Sequence, residues 1–305
     1  MDLAIIIVNW NTRDLLEQCL TSVLSCAGAT PSFEIIVVDN ASADDSAAMV
    51  RERFPFVRLV ANKVNVGFAR GNNQAIPMCT GRYLLLLNPD TLVLPGALEA
   101  LVRFMDENPS AGAAGARLLN PDGTLQTCCY RAPSLTRELW RLLHLDAIHP
   151  YGIYNMADWD VQTSREVDVV QGAALIIRHE IVNQMGLFDE DYFIYSEEVD
   201  LCHRLHRRGW RVCWVPESQV VHYGGQSTRQ VAAAMFLRLY QGKVLYFRKH
   251  HGPRATRWYK VIVGGTALVR LALSPFAWLE PSARREPHRQ LAAHYARLLR
   301  ALPGF

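Results

Sequence analysis

Three apolar runs in the first 90 residues each break off at a polar cluster, and this pattern constrains the fold more than any other feature of the chain. LAIIIV runs into Asn9-Trp10-Asn11, IIVV into Asp39-Asn40-Ala41-Ser42, and LLLL into Asn88-Pro89-Asp90-Thr91. Residues 3–8, 34–38, 57–60 and 83–87 are strand-like, and residues 14–24 and 43–53 between them carry helical spacing. Strands separated by helices of that length need right-handed crossovers, which predicts an α/β chain with a mostly parallel central sheet. Ligands of open α/β sheets bind beyond the carboxyl ends of the strands, where these polar clusters fall.

Half of the 305 residues are hydrophobic and a fifth are charged, enough to bury a large core and to exclude a disordered chain or a small disulfide scaffold. The seven cysteines include no CxxC pair, so neither a disulfide framework nor a zinc ribbon is expected. A reducing, cytoplasmic compartment suits them, and MDLAIIIVNWN reads as a first strand, not as a signal peptide. The net charge of +3 is unevenly divided. Residues 1–240 hold 20 Lys and Arg against 27 Asp and Glu, whereas residues 241–305 hold 12 against 2. An acidic body argues against a nucleic-acid partner, and a basic tail beside an apolar run suits an anionic inner-membrane surface.

Further along, residues 167–178 read as a strand pair or one long strand, and 211–215 and 219–223 as short strands. Residues 197–208 read as a helix with Val199, Cys202 and Leu205 on one side and Gly209 as its cap. Residues 130–160 form a long, partly helical excursion. The apolar run 261–279 is close to the minimum for a bilayer span, but Arg270 in its middle is costly there. An interfacial or re-entrant helix is favoured over a span and over an ordinary buried helix or one that pairs two copies into a homodimer. The expected division is a catalytic domain at 1–229, a helix at 230–260, and an apolar segment with basic tail at 261–305.

Asp39 can accept hydrogen bonds from a nucleobase or ribose, although on these residues alone an Asx-turn or helix cap is the stronger reading. Asp90 follows a strand so apolar that it must be buried, which sets one carboxylate at a dry rim suited to a hard cation. Asn88 offers a contact without charge. In Asn65-Val66-Gly67-Phe68-Ala69-Arg70-Gly71 the glycines permit close backbone approach and Arg70 is a candidate for a phosphate, yet the segment is neither a P-loop nor GxGxxG. Glu197, Glu198 and Asp200 crowd near Asp189-Glu190-Asp191 among Tyr192, Phe193 and Tyr195. Repulsion and desolvation there raise at least one carboxyl pKa, as a general base needs, while the plainer reading is an acidic helix start. His222 is either a satisfied buried histidine or an imidazole ligand.

VNWN at 8–11, VVDNAS at 37–42, NVGFARGNN at 65–73, LLLLNPDT at 84–91, QGAALIIR at 171–178, FDEDYFIYSEEVDLCHR at 188–204 and VVHYGGQS at 220–227 occur in an order that resembles family 2 inverting glycosyltransferases, specifically the bacterial rhamnosyltransferase-like group. The resemblance implies a GT-A fold, a nucleotide-diphospho-sugar donor, a saccharide or polyprenyl-linked acceptor, and Mg²⁺ or Mn²⁺. By position it makes Asp39 the base- and ribose-contacting aspartate, with Asn9, Asn11, Asn65, Gly67, Arg70 and Asn88 around the donor. Asp90 is similar to the last aspartate of the family's DxD motif, whose first position is Asn88 here, and His222 falls where relatives place a histidine near the metal. Glu197-Glu198 takes the place of the family's ED pair, with Glu198 as the implied base. The donor implied is deoxythymidine-diphospho-rhamnose, ahead of uridine-diphospho-hexoses. A sugar nucleotidyltransferase is disfavoured because the N-terminus lacks the Gly-rich basic phosphate loop. A non-catalytic nucleotide-sugar-binding protein is disfavoured because Asp90, Glu198 and His222 are all present.

Overall fold

The computed structural model describes residues 1–26, 31–274 and 282–305, with side chains in the last stretch described from residue 289. β1 (Leu3–Asn9) is buried along its whole length, as an unbroken aliphatic strand covered on both faces must be. It pairs in parallel with β2 (Phe33–Asp39) on one side and β4 (Tyr83–Leu87) on the other, and β3 (Arg58–Ala61) adds in parallel to β2. α1 (Arg13–Leu24), α2 (Ser46–Arg53) and α3 (Phe68–Ala75) make the crossovers. α1 buries Leu16, Cys19, Leu20 and Val23, one helix face at i, i+3, i+4 and i+7.

The order β3-β2-β1-β4 contains a reversal. Two crossovers step away from β1 in one direction and the third returns to its other side. Such a switch opens a crevice at the carboxyl ends of β1 and β4.

Past β4 the sheet is mixed: parallel pairing is unbroken through the first four strands and recurs once beyond them. β5 (Thr91–Val93) follows β4 after only Asn88-Pro89-Asp90, too short a link for a parallel crossover. α4 (Ala97–Glu107) leads into β6 (Ala111–Leu119). β7 (Cys129–Tyr130) pairs with β9 (Val169–Val170) apart from the main sheet, and β8 (Arg165–Glu166) pairs with β11 (Arg211–His222). β10 (Ala174–Arg178) lies antiparallel between β4 and β6 and is followed by α6 (His179–Met185). β11 runs parallel to β6 and antiparallel to β5. The two short strands expected at 211–215 and 219–223 are therefore one strand. Its register shifts between Val215 and Gln219, across Pro216, which has no N–H for the ladder.

α7 (Glu197–Arg207) occupies the expected helix, but its buried set is Glu197, Asp200, Leu201, Cys202 and Leu205. Val199 is only half-buried. The 197, 201, 205 spacing carries Glu197 onto the core face. α8 (Gln226–Arg229) follows the Gly224-Gly225 turn.

Two units make up the chain: residues 1–132, 155–193 and 197–230, and residues 133–154, 194–196 and 231–305. Residues 133–154 fall in the same unit as the C-terminal helices. In the second unit, α5 (Leu135–Leu142) sends Glu138 to Lys243 of α9 (Ala232–Leu273), at 2.6 Å. The boundary expected at 260 has no counterpart, because α9 runs through it and breaks instead at Gly252. That residue has φ +81°, a conformation glycine adopts freely, and Pro253 restarts the helix where a missing N–H costs nothing. α10 (Ser282–Ala301) packs against α9. No helix among the described residues is long and apolar enough to cross a membrane. Residues 275–279, the end of the expected apolar run, lie outside the described residues.

Candidate active site

Asn9 and Asp39 end adjacent parallel strands as register partners, and both are buried. Asn9 Nδ2 donates to Asp39 Oδ1 at 3.0 Å and to Ser42 Oγ at 3.1 Å, while Thr12 Oγ1 donates to Asn9 Oδ1 at 2.7 Å. The Ser42 amide donates to Asp39 Oδ2 at 3.0 Å, and Asn11 Oδ1 accepts from the Ala43 amide at 2.7 Å. Asp39 is thus held by two donors, yet a carboxylate has about four acceptor sites and keeps capacity for a ligand. The Asx-turn reading and the ligand reading are compatible.

The loop from residue 65 is anchored on the same edge. Asn40 Nδ2 donates to the Gly67 carbonyl at 3.0 Å, and Asn65 Oδ1 accepts from the Gly67 amide at 2.9 Å. Gly67 has φ +90°, and a Cβ there would lie 2.5 Å from the Phe193 carbonyl oxygen. That same oxygen accepts from the Phe68 amide at 2.7 Å. Only glycine fits this crossing.

On the other side of the switch point, Asp90 and His222 are both buried, with His222 Nε2 3.3 Å from Asp90 Oδ1. His222 ends β11 opposite Thr91 of β5, which brings His222 beside Asp90, the residue just before Thr91. The other ring nitrogen, Nδ1, lies 2.6 Å from Gln126 Oε1. Gln126 Nε2 is already committed to the His222 carbonyl at 3.1 Å and to Asn120 Oδ1 at 2.9 Å. Its oxygen therefore faces Nδ1, which carries a proton, and in the neutral imidazole Nε2 presents a lone pair toward Asp90. Asn88 Nδ2 approaches Nε2 at 3.4 Å, as a donor to that lone pair would.

Two buried acceptors facing each other suit a divalent cation. Among the described residues no group of three or more His, Cys, Asp or Glu can hold a metal. The donor set therefore fits an ion completed by substrate oxygens, the usual arrangement for Mg²⁺ at phosphates. Beneath this corner, Cys19 Sγ sits 3.4 Å from Thr91 Oγ1, and burial pushes its thiol pKa up to about 12. It is no nucleophile at neutral pH.

At the start of α7, Glu197 is buried and its Oε2 has no hydrogen-bond partner. Burial, and then the adjacent Glu198 charge, raise its pKa well above the ordinary glutamate value. Glu198 is only half-buried. The turn between β9 and β10 connects this helix start to the Asp90 corner. Ala173 O accepts from the Asn88 amide at 2.9 Å, and a Cβ placed on Gly172 would touch Glu198 Cβ at 3.8 Å.

The structure thus draws Asn9, Asn11, Asp39, Asn65 and Gly67 into one network, and Asn88, Asp90 and His222 into another. Arg70 joins neither in this state. It is half exposed, and its Nε pairs with Glu190 at 2.9 Å. Sequence reasoning missed Gln126 as the partner of His222 and undervalued Ser42 and Asn40. Ser42 was visible in the strand-end cluster. Gln126 was not, because the Leu119–Leu125 bridge that folds it back toward His222 leaves no local motif.

The Glycosyl transferase family 2 pattern matches residues 4–175. N-acetylglucosaminyl-diphospho-decaprenol L-rhamnosyltransferase of Mycobacterium tuberculosis is 28% identical over 303 residues, covering 95% of this chain and 96% of that protein. Rhamnosyltransferase WbbL of Escherichia coli is 22% identical over 76% of this chain and 87% of its own length. Among solved structures, mannosyltransferase PcManGT from Pyrobaculum calidifontis, in complex with GDP-Man and Mn²⁺, shares the fold with a TM-score of 0.58. It is 19% identical and covers 99% of this chain and 85% of that one.

Proposed function

The chain belongs to glycosyl transferase family 2 and has its GT-A fold, and on that footing we propose that it moves rhamnose from deoxythymidine-diphospho-rhamnose to a polyprenyl-linked saccharide, with inversion. The single observation that carries the chemistry is the buried Asp90–His222 acceptor pair beside the Asn9–Asp39 network. The choice of sugar and acceptor is supported by the names of the mycobacterial and E. coli relatives, the first of which aligns along nearly its whole length. Acceptors of that class would be met at the cytoplasmic face of the plasma membrane.

In this reading the base and ribose lie against Asp39, which retains acceptor capacity, with Asn9, Asn11 and the 65–67 loop shaping the cradle. Asp90 and His222 Nε2 would hold the cation, Mg²⁺ or Mn²⁺, and Gln126 keeps the imidazole proton on Nδ1 so that Nε2 is available. When bound, the ion supplies positive charge at the departing diphosphate. Asn88 contacts the donor without adding negative charge, and Arg70 adds a cationic donor. Glu198 takes the proton from the acceptor hydroxyl. The hydroxyl oxygen forms the new bond to the anomeric carbon as the bond to the diphosphate oxygen breaks, and nucleoside diphosphate leaves with the electron pair. One displacement inverts the centre. Buried Glu197, more readily protonated, orients the helix start beside it.

The test is a thermal-shift panel of nucleotide sugars with Mg²⁺ or Mn²⁺, because a ligand stabilises the native state according to its affinity. Deoxythymidine-diphospho-rhamnose should give the largest shift. A larger shift from GDP-mannose or a uridine-diphospho-hexose would replace the donor, and no shift from any sugar nucleotide would reject the reading.

A further inference from the structure

The half of α9 that follows Gly252 is apolar on two opposite faces. Inward, Thr256, Tyr259, Val263 and Ala267 are buried, a set spaced by three and four residues. Outward, Trp258, Val261, Leu268, Val269 and Leu273 are 57–62% exposed, and at about 100° per residue they line the opposite side. A soluble helix normally makes its outer face polar. This one carries no charge there from Trp258 to Leu273.

The two cations within that stretch are turned away from it. Lys260 Nζ donates to the carbonyls of Phe305 at 2.6 Å and Pro303 at 3.1 Å. Arg270 donates to the Leu142 carbonyl at 2.6 Å, contacts His144 Nε2 at 2.9 Å, and bonds the Tyr295 hydroxyl. Arg270, the residue that weighs against a bilayer span in the sequence, therefore leaves the outward stripe uncharged. At the stripe's N-terminal end Arg254 and Arg257 are exposed on the same side, and Arg248 and Lys249 are exposed just before the break.

We propose that the Trp258–Leu273 face of α9 is a docking surface for an anionic bilayer, the apolar stripe entering the acyl boundary and the arginines meeting lipid headgroups. The occupant is chosen by charge: this end of the chain carries 12 Lys and Arg against 2 Asp and Glu, which matches an anionic surface and opposes a second equally basic copy. A tryptophan at the basic end has the amphipathic ring that settles at headgroup level. The helix lies on the membrane and does not cross it. Binding does not depend on the transfer reading, since the membrane can be tested without an acceptor.

The full-length protein is sedimented with vesicles of phosphatidylcholine alone or with added phosphatidylglycerol, beside Leu268→Glu/Val269→Glu and Arg254→Glu/Arg257→Glu. The parent should pellet with anionic vesicles and be released by salt. Each double variant should bind at least about tenfold more weakly. Both sites are exposed, so melting temperature and donor-dependent shifts should stay at parental values, which separates lost docking from lost folding or lost activity. Equal pelleting of Leu268→Glu/Val269→Glu and parent, or no pelleting of the parent, would overturn the proposal. So would a parental dimer that this variant converts to monomer, which would make the stripe a self-association face.

Discussion

His222 Nε2 and Asp90 Oδ1 face each other at 3.3 Å in a buried corner where the far side of the imidazole is fixed by Gln126 at 2.6 Å. Asp90→Asn keeps the volume and removes the charge. Mn²⁺ affinity measured by calorimetry in the presence of nucleoside diphosphate should fall, and turnover should drop by at least about 10²-fold without rescue at ordinary Mn²⁺ levels. Near-parental turnover would shift the diphosphate-holding role to Arg70 and His222.

Gln126 acts on the metal corner through His222. Gln126→Ala frees Nδ1, lets the proton move to Nε2, and should weaken Mn²⁺ binding by about 10- to 100-fold. Nitrogen chemical shifts of the imidazole would show the tautomer directly. Unchanged shifts and unchanged affinity would leave Gln126 a structural residue only.

The two glutamates at the start of α7 should separate by variant. Glu198→Gln should retain donor binding and lose transfer by roughly 10² to 10⁴, the range for removing a general base, while Glu197→Gln should lose less. Equal turnover of Glu198→Gln and parent would move the base to Glu197 or Asp200. Stability should also respond at Glu197. Its raised pKa means that the folded chain keeps a proton the unfolded chain gives up. The associated stability is present below the ordinary glutamate range and is lost as pH rises toward the folded value. Glu197→Gln should therefore unfold at higher denaturant than the parent at pH 8, with the difference shrinking toward pH 4.

Lys243 reaches Glu138 at 2.6 Å, and the carboxylate is almost wholly enclosed. Lys243→Met removes the nearer of that carboxylate's two cations, leaving Arg141 at 3.9 Å, and should cost about 1–3 kcal/mol in denaturant unfolding. The paired change with Glu138→Leu should recover most of it. If the single variant costs as little as a surface substitution, the pair contributes nothing.

Much of the site was legible because β-strand chemistry is local. The apolar runs end where Asn9, Asp39 and Asn88 emerge, and the reversal between β1 and β4 places those ends at a crevice. What local pattern could not carry was the return of β11 along β5, which brings His222 to Asp90. The antiparallel insertion of β10 was hidden for the same reason, since strand direction depends on partners far along the chain. The buried stripe of α7 shows a subtler failure. Val199 looked like a core position by residue type, but the spacing of Leu201 and Leu205 places Glu197 inside and leaves Val199 half-buried.

The most direct test of the central claim is a transfer assay with purified protein, deoxythymidine-diphospho-rhamnose, Mn²⁺ and a short-chain polyprenyl-diphospho-N-acetylglucosamine, read by mass spectrometry of the lipid. The parent should form an acceptor heavier by one deoxyhexosyl unit, and Asp90→Asn should not. An unmodified acceptor in the presence of demonstrable donor binding, or free rhamnose as the sole product, would contradict the claim.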